Sequence, residues 1–262
     1  MLRSLYTAAT GMEAQQLKMD VIANNLANTS TTGFKRVRAE FQDLLSETVI
    51  QSAAAGPQGT GGQPSPLQVG LGVKTGSTTR SMGQGDMLNT QNPLDVAIEG
   101  AGYFRVQRTS GEVAFTRAGN LRVDESGRLV TQHGELIEPG IVVPPETTDV
   151  IIKPDGRVFA KIPTKQDPIE LGQLQLTTFT NPAALEAIGN NLFQPTGATG
   201  QELQIHPGEQ GAGQVSHGFL DGANVTAVEE MIDMISTQRA YEMNSKVIQT
   251  ADQMLQRLTQ LR

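Results

Sequence analysis

Seam positions along this chain keep one rhythm at its ends and another between them. Leu2, Leu5, Ala9, Met12, Gln16, Met19, Ala23 and Leu26 stand alternately three and four apart, the spacing of a coiled-coil seam, which predicts one helix from residue 2 to about 28. The cluster Ser30-Thr31-Thr32-Gly33 then stops it, Gly33 being suited to a left-handed conformation. The seam is thin, because Ala9, Gln16 and Ala23 remove little apolar area from water, and so slight a helix needs partners. At the other end the capping box Thr226-x-x-Glu229 opens a second helix that runs to the terminus, with Glu229, Glu230 and Asp233 where the helix dipole favours negative charge. Its apolar residues follow two seams: Met231, Met234, Tyr241, Ile248 and Leu255 on one, Ala240, Val247, Ala251, Met254, Leu258 and Leu261 on the other. Two seams fit two neighbours, and one broad stripe against a single core fits the spacing equally.

Between the ends the period falls to two. Leu94, Val96 and Ile98 alternate with Asp95, Ala97 and Glu99, as in a half-buried strand. Turn residues then recur between apolar runs: Thr109-Ser110-Gly111 divides YFRVQ from EVAFT, Glu125-Ser126-Gly127 divides LRVD from RLVTQ, and Pro154-Asp155-Gly156 divides VIIK from RVFAKI. Three hairpins in so short a span predict an antiparallel sheet or small barrel. Asn181-Pro182 reads as a cap and first turn, predicting a short helix from Ala183 to Ile188 stopped by Gly189. Phe41, Leu44, Leu45, Thr48 and Val49 repeat at helical spacing and predict one more short amphipathic helix. Residues 52–66, built only from Ser, Ala, Gly, Pro, Gln and Thr, lack the means to form a core and read as an extended arm or a flexible linker.

The expected fold class is therefore α+β: N- and C-terminal α-helices pairing as a coiled coil, with a central all-β, antiparallel, barrel-like domain. The expected boundaries are 1–33 for the first assembly helix, 34–66 for a connector arm, 67–222 for the β-domain and 223–262 for the second assembly helix.

Composition narrows the chemistry. The chain has no Cys and no Trp, which excludes disulfides, thiol catalysis and cysteine-ligated metal centres. A net charge of -7 argues against a surface that tracks nucleic-acid phosphates. The short basic run Lys35, Arg36, Arg38 is followed by Glu40 and Asp43 and reads as a solvated surface, with an anion or partner contact as the alternative. No stretch approaches the roughly 20 apolar residues that span a bilayer. Thr7, Thr10, Glu13 and Gln15 interrupt any secretory h-region, so departure from the cytoplasm is expected to use an uncleaved route. Two Asn-x-Ser/Thr triplets, at Asn28 and Asn224, carry no weight by themselves.

No catalytic constellation stands out. His206, His217, Glu209 and Asp221 lie in a Gly-rich stretch without metal-ligand spacing, and Ser110, Ser126 and Ser216 lack a nucleophile elbow. The glycines at 70, 72 and 76 have neither phosphate-loop nor dinucleotide-binding spacing. No enzyme activity, cofactor or metal is expected.

Three ordered motifs carry a resemblance. The first is Ala23-Asn24-Asn25-Leu26-Ala27-Asn28-Thr29-x-Thr31-x-Gly33-Phe34-Lys35. The second is Pro93-Leu94-Asp95-Val96-Ala97-Ile98-Glu99-Gly100-x-Gly102-Tyr103-Phe104, continued by Phe115-Thr116-Arg117-Ala118-Gly119-Asn120. The third runs from Ala223-Asn224-Val225 through Met231-Ile232 and Ile235 to Gln238-Arg239-Ala240-Tyr241-Glu242-x-Asn244-x-Lys246. Together they resemble the bacterial flagellar rod, hook and hook-associated axial proteins. A single β-body of this size and the opening MLRSLYTAATGM resemble the distal-rod branch, with proximal-rod and hook-type members as the nearest alternatives.

The resemblance implies a helical homopolymer whose terminal helices form an inner layer and whose β-domain faces outward. It implies, as partners, proximal rod proteins, the hook protein, periplasmic and outer-membrane ring proteins and the flagellar type III export apparatus. No nucleic acid and no membrane insertion are expected. The assembly interface would then draw on Leu2, Leu5, Ala9, Met12, Met19, Asn24, Asn25, Leu26, Asn28, Gly33 and Phe34 from the first motif region. From the last helix it would draw on Met231, Ile235, Gln238, Arg239, Tyr241, Asn244, Ile248, Leu255 and Leu258. Asn24, Asn25, Asn28, Gln238, Arg239 and Asn244 are suited to fix register by hydrogen bonds across helices, and each fits a solvent-facing polar position equally. A different class, a coiled-coil fibre or adhesin with a β-rich head, shares the same helix-and-β layout.

Overall fold

A computed structural model describes residues 2–50, 66–163, 167–209 and 211–260, so residues 51–65 of the expected connector lie outside the described residues. The chain divides into two compact units, one made of residues 1–26, 37–79 and 227–262 and the other of residues 27–36 and 80–226.

The first unit holds helix α1 (Leu2–Ala27), then β1 (Val37–Asp43), β2 (Ser46–Ile50), β3 (Leu67–Gly70) and β4 (Val73–Arg80). Helix α2 (Ala227–Gln260) completes it and begins directly after Thr226, where the capping box placed it. β1 pairs with β4, and β2 pairs antiparallel with β3, Glu47 opposite Val69. The short helix expected over Phe41–Val49 is absent: these residues belong to β1, a Leu44-Leu45 bend and β2. Side-chain exposure along β1 alternates at period two at its start, and the Leu44 N–H donates to Gly72 O at 2.9 Å, which ties the bend to the start of β4. Val37, Phe41, Thr48 and Val49 suit a pleated surface better than a helix, and this preference outweighed the three-to-four spacing.

The second unit holds β5 (Met87–Asn89), β6 (Val96–Glu99), β7 (Tyr103–Gln107), β8 (Val113–Thr116), β9 (Arg122–Val123), β10 (Leu129–Val130) and β11 (Leu136–Ile137). There follow β12 (Asp149–Ile152), β13 (Arg157–Lys161), β14 (Ile169–Gln173), β15 (Leu176–Phe179), β16 (Glu186–Gly189), β17 (Leu192–Gln194), β18 (Glu202–Ile205), β19 (Gln214–His217) and β20 (Phe219–Asp221). Each turn cluster noted in the sequence joins an antiparallel pair: β7 with β8, β9 with β10, β12 with β13. The main sheet runs β16-β17-β8-β7-β11-β10-β9, with β15 joining β7 to β18.

That sheet and the smaller β12-β13-β14, β19-β6 and β20-β5 sheets remain open, so the expected barrel does not close. Many of these strands are only two or three residues long, too short to carry hydrogen bonding around a closed circuit. Val96, Ile98, Phe104, Val106, Leu129, Val158, Leu174 and Leu176 form one core. A second cluster sets Tyr103, Phe115, Leu185 and Phe193 together, Phe115 meeting Phe179 edge-on at 4.9 Å between ring centres.

Two local expectations change here. Strand β6 was expected to be half-buried, yet Val96, Ala97 and Ile98 are all fully buried, because its pairing with β19 lies within the core and Ala97 is small enough to be covered. The helix expected over Ala183–Ile188 is a single 3-10 turn, Pro182–Ala184. Leu185 leaves that turn in an extended conformation to enter the aromatic cluster, and Glu186–Gly189 continues as β16 against β17.

Candidate assembly site

Helices α1 and α2 meet within the first unit. The Asn25 amide donates to Glu230 Oε2 at 3.2 Å, and a Cβ on Gly11 would lie 3.0 Å from the Asn244 amide nitrogen. Between these two contacts, Gln16, Met19, Asp20 and Ala23 share a groove of about 530 Å³ with Met234, Gln238 and Tyr241. Positions fall along α1 as they rise along α2, so the helices run antiparallel.

The face of α2 that carries Glu230, Thr237, Asn244 and Ala251 advances by sevens, and Glu230, Thr237 and Ala251 are buried. A seven-residue advance keeps one stripe facing one neighbour, as in a left-handed pair. Here the stripe is polar and small rather than leucine-rich. Thr237 is accommodated because its hydroxyl donates to Asp233 O at 2.7 Å within the same helix. On α1 the buried residues are Ala8, Ala14, Ile22 and Asn25.

A second stripe of α2, beside the buried one, is apolar and uncovered. Ile232, Met243 and Met254 stand eleven apart and are all exposed, Met243 at 61%. Ser236 and Val247 repeat the same interval beside them and are exposed too. Val228, Met231 and Ile235 broaden this surface at the start of the helix. An eleven-residue interval corresponds to slightly more than 3.6 residues per turn and drifts around a helix in the sense opposite to a heptad.

The residues expected at an assembly interface fall into four groups. Leu5, Met12, Met19, Leu26, Asn244, Ile248 and Leu255 are half-buried, and Asn25 is buried, all in the first unit. Ala9, Asn24, Met231, Ile235, Gln238, Arg239 and Tyr241 are exposed. The side chains of Leu2 and Leu258 lie outside the described residues. Asn28, Gly33 and Phe34 belong to the second unit, Gly33 buried with φ of 73°. The Asn25 amide donates to Val37 O at 2.8 Å and accepts from Val37 N–H at 3.0 Å, binding the end of α1 to the start of β1.

Within the second unit the largest departure from expectation is Lys35. Read as surface, it is 1% exposed, and its Nζ sits 2.8 Å from Asp221 Oδ2. Arg117 Nε reaches the same oxygen at 3.2 Å, while Arg117 Nη2 donates to Gly100 O at 2.5 Å and Ile98 O at 3.3 Å. Asp221 Oδ1 accepts from the Gly85 N–H at 2.9 Å. Arg117 also lies 5.7 Å from the Tyr103 ring centre. Burial pulls the Lys35 ammonium below its ordinary range, and Asp221 offsets part of that while Arg117 adds to it. Burial pushes the Tyr103 phenol up.

Neither Arg117 nor the Lys35–Asp221 pair was singled out from sequence. The available signal was positional: Lys35 closes the first motif, Arg117 sits in the continuation of the second, and Asp221 stands two residues before the third. The sequence offers Asp221 as a metal-ligand candidate with His206, His217 and Glu209. Its carboxylate is instead occupied by cations, and His217 Nε2 lies 2.8 Å from Pro93 O. Among the described residues no three His, Asp or Glu side chains gather as a metal site, and no helix is long and apolar enough to cross a membrane.

Comparison with known proteins matches three segments to family descriptions: residues 5–35 to "Flagella basal body rod protein", residues 97–160 to "Flagellar hook protein FlgE/F/G D1 domain", and residues 216–261 to "Flagellar basal body rod FlgEFG protein C-terminal". The chain is 48% identical to the flagellar basal-body rod protein FlgG of Caulobacter vibrioides over 261 residues, covering 100% of both chains. It is 46% identical to the protein of that name from Buchnera aphidicola over 261 residues, again covering 100% of both. The corresponding Borreliella burgdorferi protein is 47% identical over 257 residues, 97% of each chain.

Proposed function

This chain belongs to the flagellar basal-body rod protein family, and on that premise we propose that it is a structural subunit of the distal rod. Copies polymerise into a rigid helical tube that passes motor torque to the hook and so contributes to motility. The observation that carries this reading is the uncovered stripe Ile232, Met243, Val247 and Met254 on a helix whose Glu230, Thr237 and Ala251 stripe is already occupied within the chain. A single subunit leaves that apolar area in water. At roughly 25 cal/mol per Å² removed from water, a second helix laid along it is the natural way to stabilise the surface.

The seven-residue seam between α1 and α2 supports pairing of the termini as a coiled coil, with the assembly surface drawn from both helices. Association with other copies and with rod and hook components follows from family membership. Proximal rod proteins at one end, the hook protein at the other and ring proteins around the outside are the specific neighbours this reading assigns. In the same reading the subunit is delivered by the flagellar type III export apparatus and stands in the basal body where the rod crosses the periplasm and outer membrane.

Truncation tests it. Chains lacking residues 1–30 or 230–262 are expected to remain monomeric β-rich proteins under conditions where the full chain forms tubes visible by electron microscopy. Tubes from either truncated chain would sink the proposal.

A further inference from the structure

Two cations and one carboxylate share a site closed to water in the second unit, and the three come from distant parts of the chain. Lys35 lies in the stretch that follows α1, Arg117 directly after β8, and Asp221 at the end of β20, in the stretch that precedes α2. Main-chain bonds join the two outer stretches beside the charges. Gly33 N–H donates to Asp221 O at 2.7 Å, and Arg36 N–H donates to Asn224 Oδ1 at 2.6 Å. There is no space to slip: a Cβ on Gly33 would lie 2.9 Å from Ala118 N, and one on Gly85 would strike Gly222 O.

We propose that Lys35, Arg117 and Asp221 form a two-ended latch, in which the stretch after α1 docks only when the stretch before α2 has docked, and each is released with the other. The charge balance enforces the condition. Without Asp221, docking residues 33–36 would bury the Lys35 ammonium beside the Arg117 guanidinium with no anion between them, a cost that the Gly100 and Ile98 carbonyls bonded to Arg117 offset only in part. Without Lys35 in place, the Asp221–Arg117 pair stays balanced, but Asp221 O loses its Gly33 donor and Asn224 its Arg36 donor. The latch therefore makes anchorage of the two terminal stretches a single event. It stands whether or not the chain polymerises, because it is read on the monomer.

Hydrogen exchange of the full-length monomer tests it. Asp221→Asn keeps the shape of the side chain and removes its charge. Protection of residues 31–37 and of residues 219–226 should fall together, each by about a hundredfold or more. Adding Lys35→Met to Asp221→Asn removes one of the two stranded cations and should restore at least about a tenfold part of that loss at residues 31–37. Lys35→Met alone leaves the Asp221–Arg117 pair intact and should fold, which keeps the test informative if Asp221→Asn does not. In that background, neutralising Asp221 should affect residues 31–37 far less than it does in the parent chain. Loss of protection confined to residues 219–226 would overturn the latch, as would a double variant no better protected at residues 31–37 than Asp221→Asn.

Discussion

The Asn25 side chain treats Val37 as a neighbouring strand would, donating to its carbonyl at 2.8 Å and accepting from its N–H at 3.0 Å. One amide thus satisfies both main-chain groups of Val37, and a second Asn25 hydrogen reaches Glu230. Asn25→Ala leaves these partners short of hydrogen bonds and should lower the stability of the first unit by about 2 kcal/mol. Asn25→Asp should be worse near neutral pH, since a carboxylate has no hydrogen for Val37 O and faces the Glu230 carboxylate. Its deficit should shrink on acidification, and helical circular dichroism followed through urea unfolding at two pH values measures both effects.

Gly33 is held at φ of 73° against the main chain of Ala118. Gly33→Ala carries the left-handed penalty of about 1 kcal/mol and a clash with backbone that has no free end to move aside. The expected loss is about 2 kcal/mol or more, read as a shift in the urea midpoint of the β-signal. An unchanged midpoint would show that the turn rearranges freely.

The buried charges predict an unusual alkaline response. Lys35 is held below its ordinary value of 10.5, so between its folded value and 10.5 the unfolded chain binds a proton that the folded chain does not. Its contribution to stability therefore rises with pH across that window and is lost as pH falls through it. Tyr103 acts in the opposite sense: its phenol is held above 10.0, so its contribution is complete below 10.0 and fades as pH climbs through the folded value. Tyr103→Phe removes the second effect. From pH 8 to 10.5 the urea midpoint of Tyr103→Phe should rise relative to that of Tyr103→Phe/Lys35→Met, and parallel curves would show that Lys35 does not contribute.

Substitutions on the outer stripe of α2 should separate stability from assembly. Ile232→Asn and Met243→Gln change exposed side chains and should leave the monomer within about 0.5 kcal/mol of the parent. Sedimentation and electron microscopy should nevertheless show tubes weakened or lost. Equal polymerisation by both variants would remove this stripe from the interface.

Much of the architecture is legible in the chain because it is set locally. The capping box at Thr226 and the glycine turns at 111, 127 and 156 each act within a few residues, and elements begin or end beside them, whereas α1 already ends at Ala27, six residues before Gly33. What misled were spacings that more than one structure satisfies, as over Phe41–Val49, and polar residues whose surroundings are assembled from afar. Lys35 reads as surface from its neighbours Arg36 and Arg38, yet its partner lies 186 residues away. Glu230 and Thr237 on the inner face of α2 are illegible for a similar reason, since an apolar seam does not include carboxylates and hydroxyls even when they keep a seven-residue interval.

That interval has a mechanical side. Inside, α2 advances by sevens, which winds a helix pair to the left; outside, it advances by elevens, which winds to the right. A strut urged in both senses at once gains nothing by coiling either way. Packed along both stripes, it would resist twist from either direction, the property required of a shaft that must turn without winding up.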